Sequence, residues 1–208
     1  MDAREELLRE FIKNNSISEN DMQLIETDAS FRKYYRINKN NVLIMDAPNE
    51  RGESVKSFQI IDKILSEMGI SVPAIHCIDE KNGFILLEDL GDQVFSRILN
   101  SDNEYELYKN AIAVLAHIYL ESIKKKFDSK NIHYYSIDTL IEETNLFYEW
   151  FLEKHCKISL ANEEKIEYQE ILKKIFNEIN FTSSALVLRD YHVDNLILLK
   201  NRKGINQV

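Results

Sequence analysis

The chain has 208 residues, enough for one large domain or two small ones and for a core that needs no disulfide or metal staple. Hydrophobic residues at 44% and charged residues at 29% exclude a disordered chain. The 35 acidic against 26 basic side chains give a net charge of −9, which disfavours capture of nucleic acid or an anionic membrane and leaves room for a local basic pocket for one small phosphorylated ligand.

The chain opens on a predicted amphipathic helix over residues 2–13, with Leu7, Leu8, Phe11 and Ile12 on one face and Asn14-Asn15 as its stop. The period then changes, and Met22 to Glu26, Lys33 to Ile37 and Asn41 to Met45 read as strands, with the Asn-Lys-Asn-Asn stretch over 38–41 as a hairpin turn. Ser54 to Met68 is helical again, with Phe58, Ile61, Ile64, Leu65 and Met68 in a stripe and Gly69 as its stop. Two further strands, Ala74 to Asp79 and Phe84 to Glu88, complete a five-stranded antiparallel sheet, and Asp89-Leu90-Gly91 behaves as a hinge. Long helices are predicted over Glu104–Lys124, Ile137–Cys156 and Glu163–Ile179. Their buried faces are expected to hold Leu107, Ala111, Leu115 and Ile118, then Leu140, Leu146, Phe147 and Trp150, then Ile166, Ile171, Leu172 and Ile175. Ala185 to Leu188 and Leu196 to Leu199 return to β character. The expected class is α+β, with a β-rich lobe over 1–90 and a helical lobe over 91–208.

Other signals narrow the setting. Ala111 to Leu120 is too short an apolar run to span a bilayer, and the charged start Met1 to Glu6 is unlike a secretory signal. Cys77 and Cys156 are distant and lack ligand-like spacing, so the reading is a reduced, cytoplasmic protein.

The chemistry concentrates in Ala185 to Leu199, where two apolar runs flank the polar loop Arg189 to Asp194, with Asn195 at the mouth of the second run. Phosphoryl transfer to a hydroxyl needs a carboxylate that accepts or orients the acceptor O–H and a nearby amide oxygen that helps hold Mg²⁺ on the nucleotide phosphates. Asp190 and Asn195 have the D-x-x-x-x-N spacing for these roles. The alternative is an ordinary polar turn in which Asp190 caps backbone N–H groups. A metal hydrolase built on His192 and Asp194 has little support, because no second ligand cluster accompanies that pair.

This loop resembles the catalytic loop of the aminoglycoside phosphotransferase and choline kinase-like family, small-molecule kinases with a two-lobed, protein-kinase-like fold. Thr27 to Arg36 (TDASFRKYYR), Leu43 to Pro48 (LIMDAP) and Leu86 to Gly91 (LLEDLG) resemble one branch of it, the bacterial anomeric kinases of N-acetylmuramate and N-acetylglucosamine in cell-wall sugar recycling. The likeness runs in matching order across nearly the whole chain. It implies ATP and Mg²⁺ as cofactors and a sugar or amino sugar as the small-molecule substrate, with neither nucleic acid nor membrane as partner. Asp190 is then the catalytic base and Asn195 a Mg²⁺ ligand. Residues 28–34 form the loop over the ATP phosphates, with contacts from Ser30, Phe31, Arg32 and Lys33, the last two equally readable as a solvated turn. Glu88, Asp89 and Leu90 form the hinge whose backbone meets the adenine edge, walled by Leu86 and Leu87, which are equally good core residues. His192 is expected to pack or hydrogen-bond within the loop.

Two departures stand out. The lysine that such kinases carry on the third strand is replaced here, with Met45 or Asp46 near its position, which leaves the phosphate cation unassigned. After the turn Asn201 to Gly204, Ile205 to Val208 reads as the start of a returning strand. In the family that strand leads to an Asp-Phe-Gln-Asp element holding the principal Mg²⁺ carboxylate, so the resemblance implies an incomplete helical C-lobe. The competing expectation is accordingly a catalytically inactive remnant or a nucleotide-binding module, and a third is a separate chain that completes the C-lobe. Tyr148, Glu149 and Trp150 are candidates for the acceptor side of the cleft, with Trp150 equally readable as core.

Overall fold

The structure, a computed structural model, describes residues 3–25, 31–38, 40–51, 54–124, 132, 134–179 and 185–208. Helix α1 (Ala3–Asn14) precedes strands β1 (Met22–Ile25), β2 (Lys33–Ile37) and β3 (Val42–Asp46). Helix α2 (Val55–Glu67) carries the chain to β4 (Ile75–Asp79) and β5 (Phe84–Glu88). All neighbouring strands are antiparallel, in the order β1-β2-β3-β5-β4, so the last strand enters between β3 and β4. The boundaries follow local chemistry. Asn41 takes a positive φ of 52° in the β2–β3 hairpin, which asparagine tolerates better than most residues. Ser54 Oγ caps α2 by accepting the Ser57 N–H at 3.2 Å, and Gly69, at φ 80°, closes its far end while the Ile70 N–H reaches Leu65 C=O at 3.0 Å.

Both faces of the sheet are covered, which is why β3 and β5 are near-continuous apolar runs. Side chains alternate along a strand. Ile37, Ile44 and Phe84 face α1 and pack with Leu8, Phe11 and Ile12, whereas Met45, Ile85 and Leu87 face the side of α2 and pack with Val55 and Phe58. Phe11 and Phe84 stack with centroids 5.3 Å apart. Leu86 and Leu87, read above as pocket wall or core, therefore lie on opposite faces and belong to these two clusters.

The β4–β5 turn is locked onto the end of β3. Asp79 accepts the Asn82 backbone N–H at 3.0 Å, Gly83 sits at φ 73°, and the Ala47 N–H donates to Gly83 C=O at 2.8 Å. A methyl group on Gly83 would lie 2.2 Å from the Ala47 carbonyl oxygen, which is backbone and cannot swing aside. Gly83→Ala is expected to cost about 2 kcal/mol or more, from the positive φ and the clash together. In urea denaturation the midpoint should fall with the slope unchanged.

Beyond the sheet come α3 (Phe95–Ile98), which the sequence reading did not anticipate, and α4 (Glu104–Lys124). Leu107, Ala111, Val114 and Ile118 of α4 are buried, but Leu115, expected beside them, is exposed. By internal contact the chain divides into one compact unit of Met1–Glu121 with Leu188–Val208 and a second of Ser122–Val187. All five strands and the Arg189–Asn195 loop thus share the first unit.

The second unit contains α5 (Ile137–Leu146), a π-helical stretch over Phe147–His155 and α6 (Asn162–Glu178). The single helix expected over 137–156 therefore changes winding at Phe147. Bonds such as Cys156 N–H to Phe151 C=O at 2.8 Å span five residues and rotate the following side chains away from α-helical register. Tyr148 becomes the buried residue, meeting Tyr168 edge-on at 5.8 Å, and Trp150 is 57% exposed with Lys154 Nζ 3.5 Å above its ring. Leu146, Phe147, Ile166, Ile171 and Ile175, expected to be buried, are also exposed. Periodicity shows that a helix has an apolar face, whereas burial needs another element to cover it.

The tail departs from the sequence reading as well. Ala185–Leu188 and Leu196–Leu199 are not strands: Ile197 forms one isolated antiparallel bridge with Val94, and the chain beyond Val94 turns at once into α3, so no ladder extends. In place of the expected returning strand, Gly204–Gln207 is a 3-10 turn, tied back by Leu199 N–H to Gln207 C=O at 2.8 Å.

Candidate active site

Without flanking strands, the Arg189–Asn195 loop is held by turns and one buried anchor. Arg189 adopts φ 61°, and the Asp190 N–H closes back on Leu188 C=O at 2.7 Å, a tight reversal that an L-residue adopts at some cost in strain. His192 N–H returns to Asp190 C=O at 3.1 Å, and Asn195 N–H to His192 C=O at 2.9 Å. The Asp190 side chain is exposed, and its carboxylate has no hydrogen-bond or ion-pair partner among the described residues. Asn195 Nδ2 donates to Asp190 C=O at 2.9 Å and lies 3.3 Å from His192 Nε2, so Oδ1 is left without a partner among those residues. His192 Nδ1 accepts the Asp194 N–H at 3.4 Å and lies 3.3 Å from Asp194 Oδ2, while Nε2 faces Asn195 Nδ2. An open carboxylate therefore stands beside an amide whose nitrogen is bound inward and whose oxygen is unspent.

The anchor is Tyr191, which the sequence reading passed over although it lies inside the motif. Its ring packs with Phe95, Leu107 and Ala111, and its hydroxyl donates to Ala111 C=O at 2.7 Å. Burial pushes the phenol pKa up to about 12. Because the neutral phenol is the protonated form, a raised folded-state pKa means that the fold holds this proton more tightly than the unfolded chain does. The stabilisation is full below about pH 10, the unperturbed tyrosine value, and is lost as pH rises towards 12. Tyr191→Phe is expected to cost about 1 kcal/mol at neutral pH. Melting curves between pH 9 and pH 12, taken at about one-unit steps, should show the gap between the two proteins closing as pH rises.

The exit of the loop is joined by main-chain bonds to residues 93–95, just past the segment expected to be the hinge. Phe95 N–H donates to Leu196 C=O at 2.9 Å and Leu198 N–H to Gln93 C=O at 2.8 Å, on either side of the Val94–Ile197 bridge. In that expected hinge, Glu88 N–H is spent on Ala74 C=O at 2.8 Å, Asp89 N–H on Asn41 C=O at 2.9 Å and Gly91 N–H on Asp89 Oδ1 at 2.8 Å. Leu90 N–H makes no hydrogen bond among the described residues. The Glu88 carboxylate accepts the Ala74 N–H at 3.0 Å and lies 3.6 Å from Arg202.

Of the residues expected over the phosphates, Ser30 lies outside the described residues. Phe31 and Lys33 are exposed at the start of β2. Arg32 lines a cavity of about 300 Å³ with Ser57, Phe58, Ile61, Asp62, Leu65, Val72 and Pro73. Asp62 Oδ1 is buried there without a hydrogen bond among the described residues, and desolvation raises the pKa of this carboxyl. Among the described residues no group of three or more His, Cys, Asp or Glu side chains could hold a metal ion. The missing lysine of β3 is also clarified. Met45 is the residue on the α2 side, whereas Asp46, 2% exposed, turns to the α1 side and meets Arg4, whose Nε and Nη2 reach Oδ1 at 2.9 and 2.5 Å. Asp46 is therefore committed to α1.

Both curated proteins and solved structures resemble the chain. N-acetylmuramate/N-acetylglucosamine kinase of Pseudomonas putida is 30% identical over 206 residues, which cover 97% of this chain and 59% of that protein. The protein of the same name from Pseudomonas aeruginosa is 30% identical over 181 residues, covering 86% of this chain and 52% of its own length. The chain thus spans between half and three fifths of the length of these relatives. Among solved structures, the streptomycin–ATP–APH(2'')-IIa ternary complex superposes with a TM-score of 0.61 at 20% identity, over 97% of this chain and 68% of that one. The ADP-bound aminoglycoside phosphotransferase APH(2'')-Ib gives the same TM-score at 19% identity, with the same coverage of both chains. These likenesses bear out the mixed α/β, kinase-like fold. No described helix is long and apolar enough to cross a membrane. Residues 21–205, from just before β1 to beyond the Arg189–Asn195 loop, match the phosphotransferase enzyme family, and the chain belongs to that family.

Proposed function

We propose that the protein transfers the γ-phosphoryl group of ATP to a hydroxyl of a small sugar, with N-acetylmuramate and N-acetylglucosamine as the acceptor class. The observation that carries this reading is the Asp190–Asn195 pair, an unengaged carboxylate beside an amide with its oxygen unspent, in a chain whose relatives are named as kinases of those two sugars. Asp190 accepts the proton of the attacking hydroxyl, or orients it, as the new O–P bond forms and ADP leaves. Asn195 fits a role in holding Mg²⁺, because Nδ2 bonded to the loop directs the oxygen outward. One neutral oxygen is only part of a six-oxygen shell, consistent with a metal completed by phosphates and water. Bound there, Mg²⁺ would neutralise charge developing on the phosphates.

Leu90 N–H supplies the hinge donor for the adenine edge, with residues 88–91 as the joint between lobes divided near residue 90. Arg32 and Lys33, with Ser30, serve the phosphates. Phosphate transfer from γ-³²P-ATP to N-acetylmuramate, N-acetylglucosamine and an aminoglycoside tests the reading. Phosphorylated N-acetyl sugar is the expected product. Transfer to the aminoglycoside alone would overturn the acceptor class, and the absence of transfer to any of the three would overturn the kinase reading.

A further inference from the structure

Arg36, the last residue of the TDASFRKYYR stretch, binds the hinge with both sides of its guanidinium. Nε and Nη2 hold the two Asp89 oxygens at 2.5 and 2.9 Å, and Nη1 holds both Asp92 oxygens at 2.6 and 2.7 Å. The side chains of Arg36 and Asp89 are only 19% and 11% exposed, so this fork is largely shielded from water and salt. The Asp89 hydrogen bond is the largest contribution raising the Arg36 pKa. Arg36 sits on β2 opposite Leu43, whereas Asp89 and Asp92 flank Leu90-Gly91. The same Asp89 oxygen that receives Nη2 also receives the Gly91 N–H at 2.8 Å, while the Asp89 N–H is held by Asn41. The backbone is thus held on both sides of Leu90, at Gly91 by the Asp89 carboxylate that Arg36 grips and at Asp89 by Asn41 C=O. Just past Asp92, Gln93 C=O receives the Leu198 N–H, so the outer arm of the fork anchors the segment that pairs with the exit of the Arg189–Asn195 loop.

We infer that Arg36 is a positioning residue for nucleotide binding, whose guanidinium fork holds the hinge so that Leu90 N–H stays clear of internal hydrogen bonds and available to the base. The inference rests on reading residues 88–91 as the nucleotide hinge. Lysine cannot reproduce it, because an ammonium on a flexible stem lacks the planar fork that grips two carboxylates.

The test is calorimetric titration of MgADP and MgATP into wild type, Arg36→Lys and the surface control Lys63→Gln, with amide hydrogen exchange and steady-state kinetics. Arg36→Lys should weaken both nucleotides by about tenfold, the equivalent of 1.4 kcal/mol. KM for ATP should rise, with a much smaller change in kcat and none in KM for the sugar. Asp89 and Gly91 amides should exchange faster in the variant, and Lys63→Gln should bind as wild type does. If Arg36→Lys does not fold, Asp89→Asn, which keeps the shape and removes the charge, carries the same expectation. Variants that melt earlier but bind nucleotide as tightly as wild type would overturn the inference and reduce Arg36 to a structural staple. Wild type that binds neither nucleotide would overturn the hinge reading itself, a result distinguishable from the first.

Discussion

Asp190→Asn is expected to lower the rate of phosphoryl transfer about 10²–10⁴-fold, the usual contribution of a positioned general base, while leaving the melting temperature within a degree or so of wild type. The split between the two readouts follows from the geometry. The Asp190 carboxylate is exposed and takes no hydrogen bond or ion pair from any described residue, so neutralising it breaks nothing that holds the fold. The loop is held instead by its backbone turns and by the Tyr191 hydroxyl on Ala111 C=O at 2.7 Å, none of which involve the carboxylate. Asparagine keeps the shape and loses only the capacity to take a proton. Single-turnover rates with saturating sugar, alongside thermal melts, check both halves. A variant with the wild-type rate would remove Asp190 from the chemistry, and one that melts much earlier would show that its carboxylate supports the fold. Asn195→Ala should behave differently, because it also removes the Nδ2 bond to Asp190 C=O at 2.9 Å and so loosens the loop.

The largest effect on stability is expected at Asp46. With 2% of its surface exposed, it meets Arg4 Nε and Nη2, while the other Arg4 nitrogen reaches Asn82 C=O at 2.5 Å and the guanidinium lies 4.1 Å from the centroid of the Phe84 ring. This one arginine ties α1 to β3 and to the β4–β5 turn. Asp46→Ala leaves a largely desolvated guanidinium facing an apolar gap, and breaking such a pair costs about 3–5 kcal/mol. For a chain of this size that is a fall of roughly 6–20 °C in melting temperature. Arg4→Met alone should be about as damaging, since it strands the buried carboxylate. The double variant Arg4→Met with Asp46→Leu should recover much of the loss, because burying two charges had its own desolvation cost. Additive losses in the double variant would show that the two residues act separately.

Much of this protein is legible residue by residue. The apolar runs Val42 to Met45 and Phe84 to Leu87, the turn asparagines, the cap at Ser54 and the stop at Gly69 are local signals. Local physics acts on them the same way in any context, so the five strands, α1 and α2 follow from them. The spacing of Asp190 and Asn195 was legible for the same reason. The readings that went wrong depended on a distant partner or on a change of winding that the residue spacing does not reveal. The apolar run Leu196–Leu199 has strand composition but finds only Val94 to pair with, so it makes a single bridge. The stripe containing Leu146, Phe147 and Trp150 has helical spacing, but its winding changes at Phe147.

What the amino-acid order determined alone was the kind and sequence of the elements in the β-rich half, and which side chains carry the candidate chemistry. What tertiary structure decided was the use of each charged and polar group. Asp46 turns to Arg4, Arg36 grips Asp89 and Asp92, Tyr191 anchors the loop, and Asp62 keeps a buried oxygen with no partner among the described residues. Backbone propensity is set within a few residues, whereas the role of a charge depends on which partner, 42 residues away for Arg4 and Asp46 or 53 for Arg36 and Asp89, the fold brings within hydrogen-bond reach and how much water it removes from the pair.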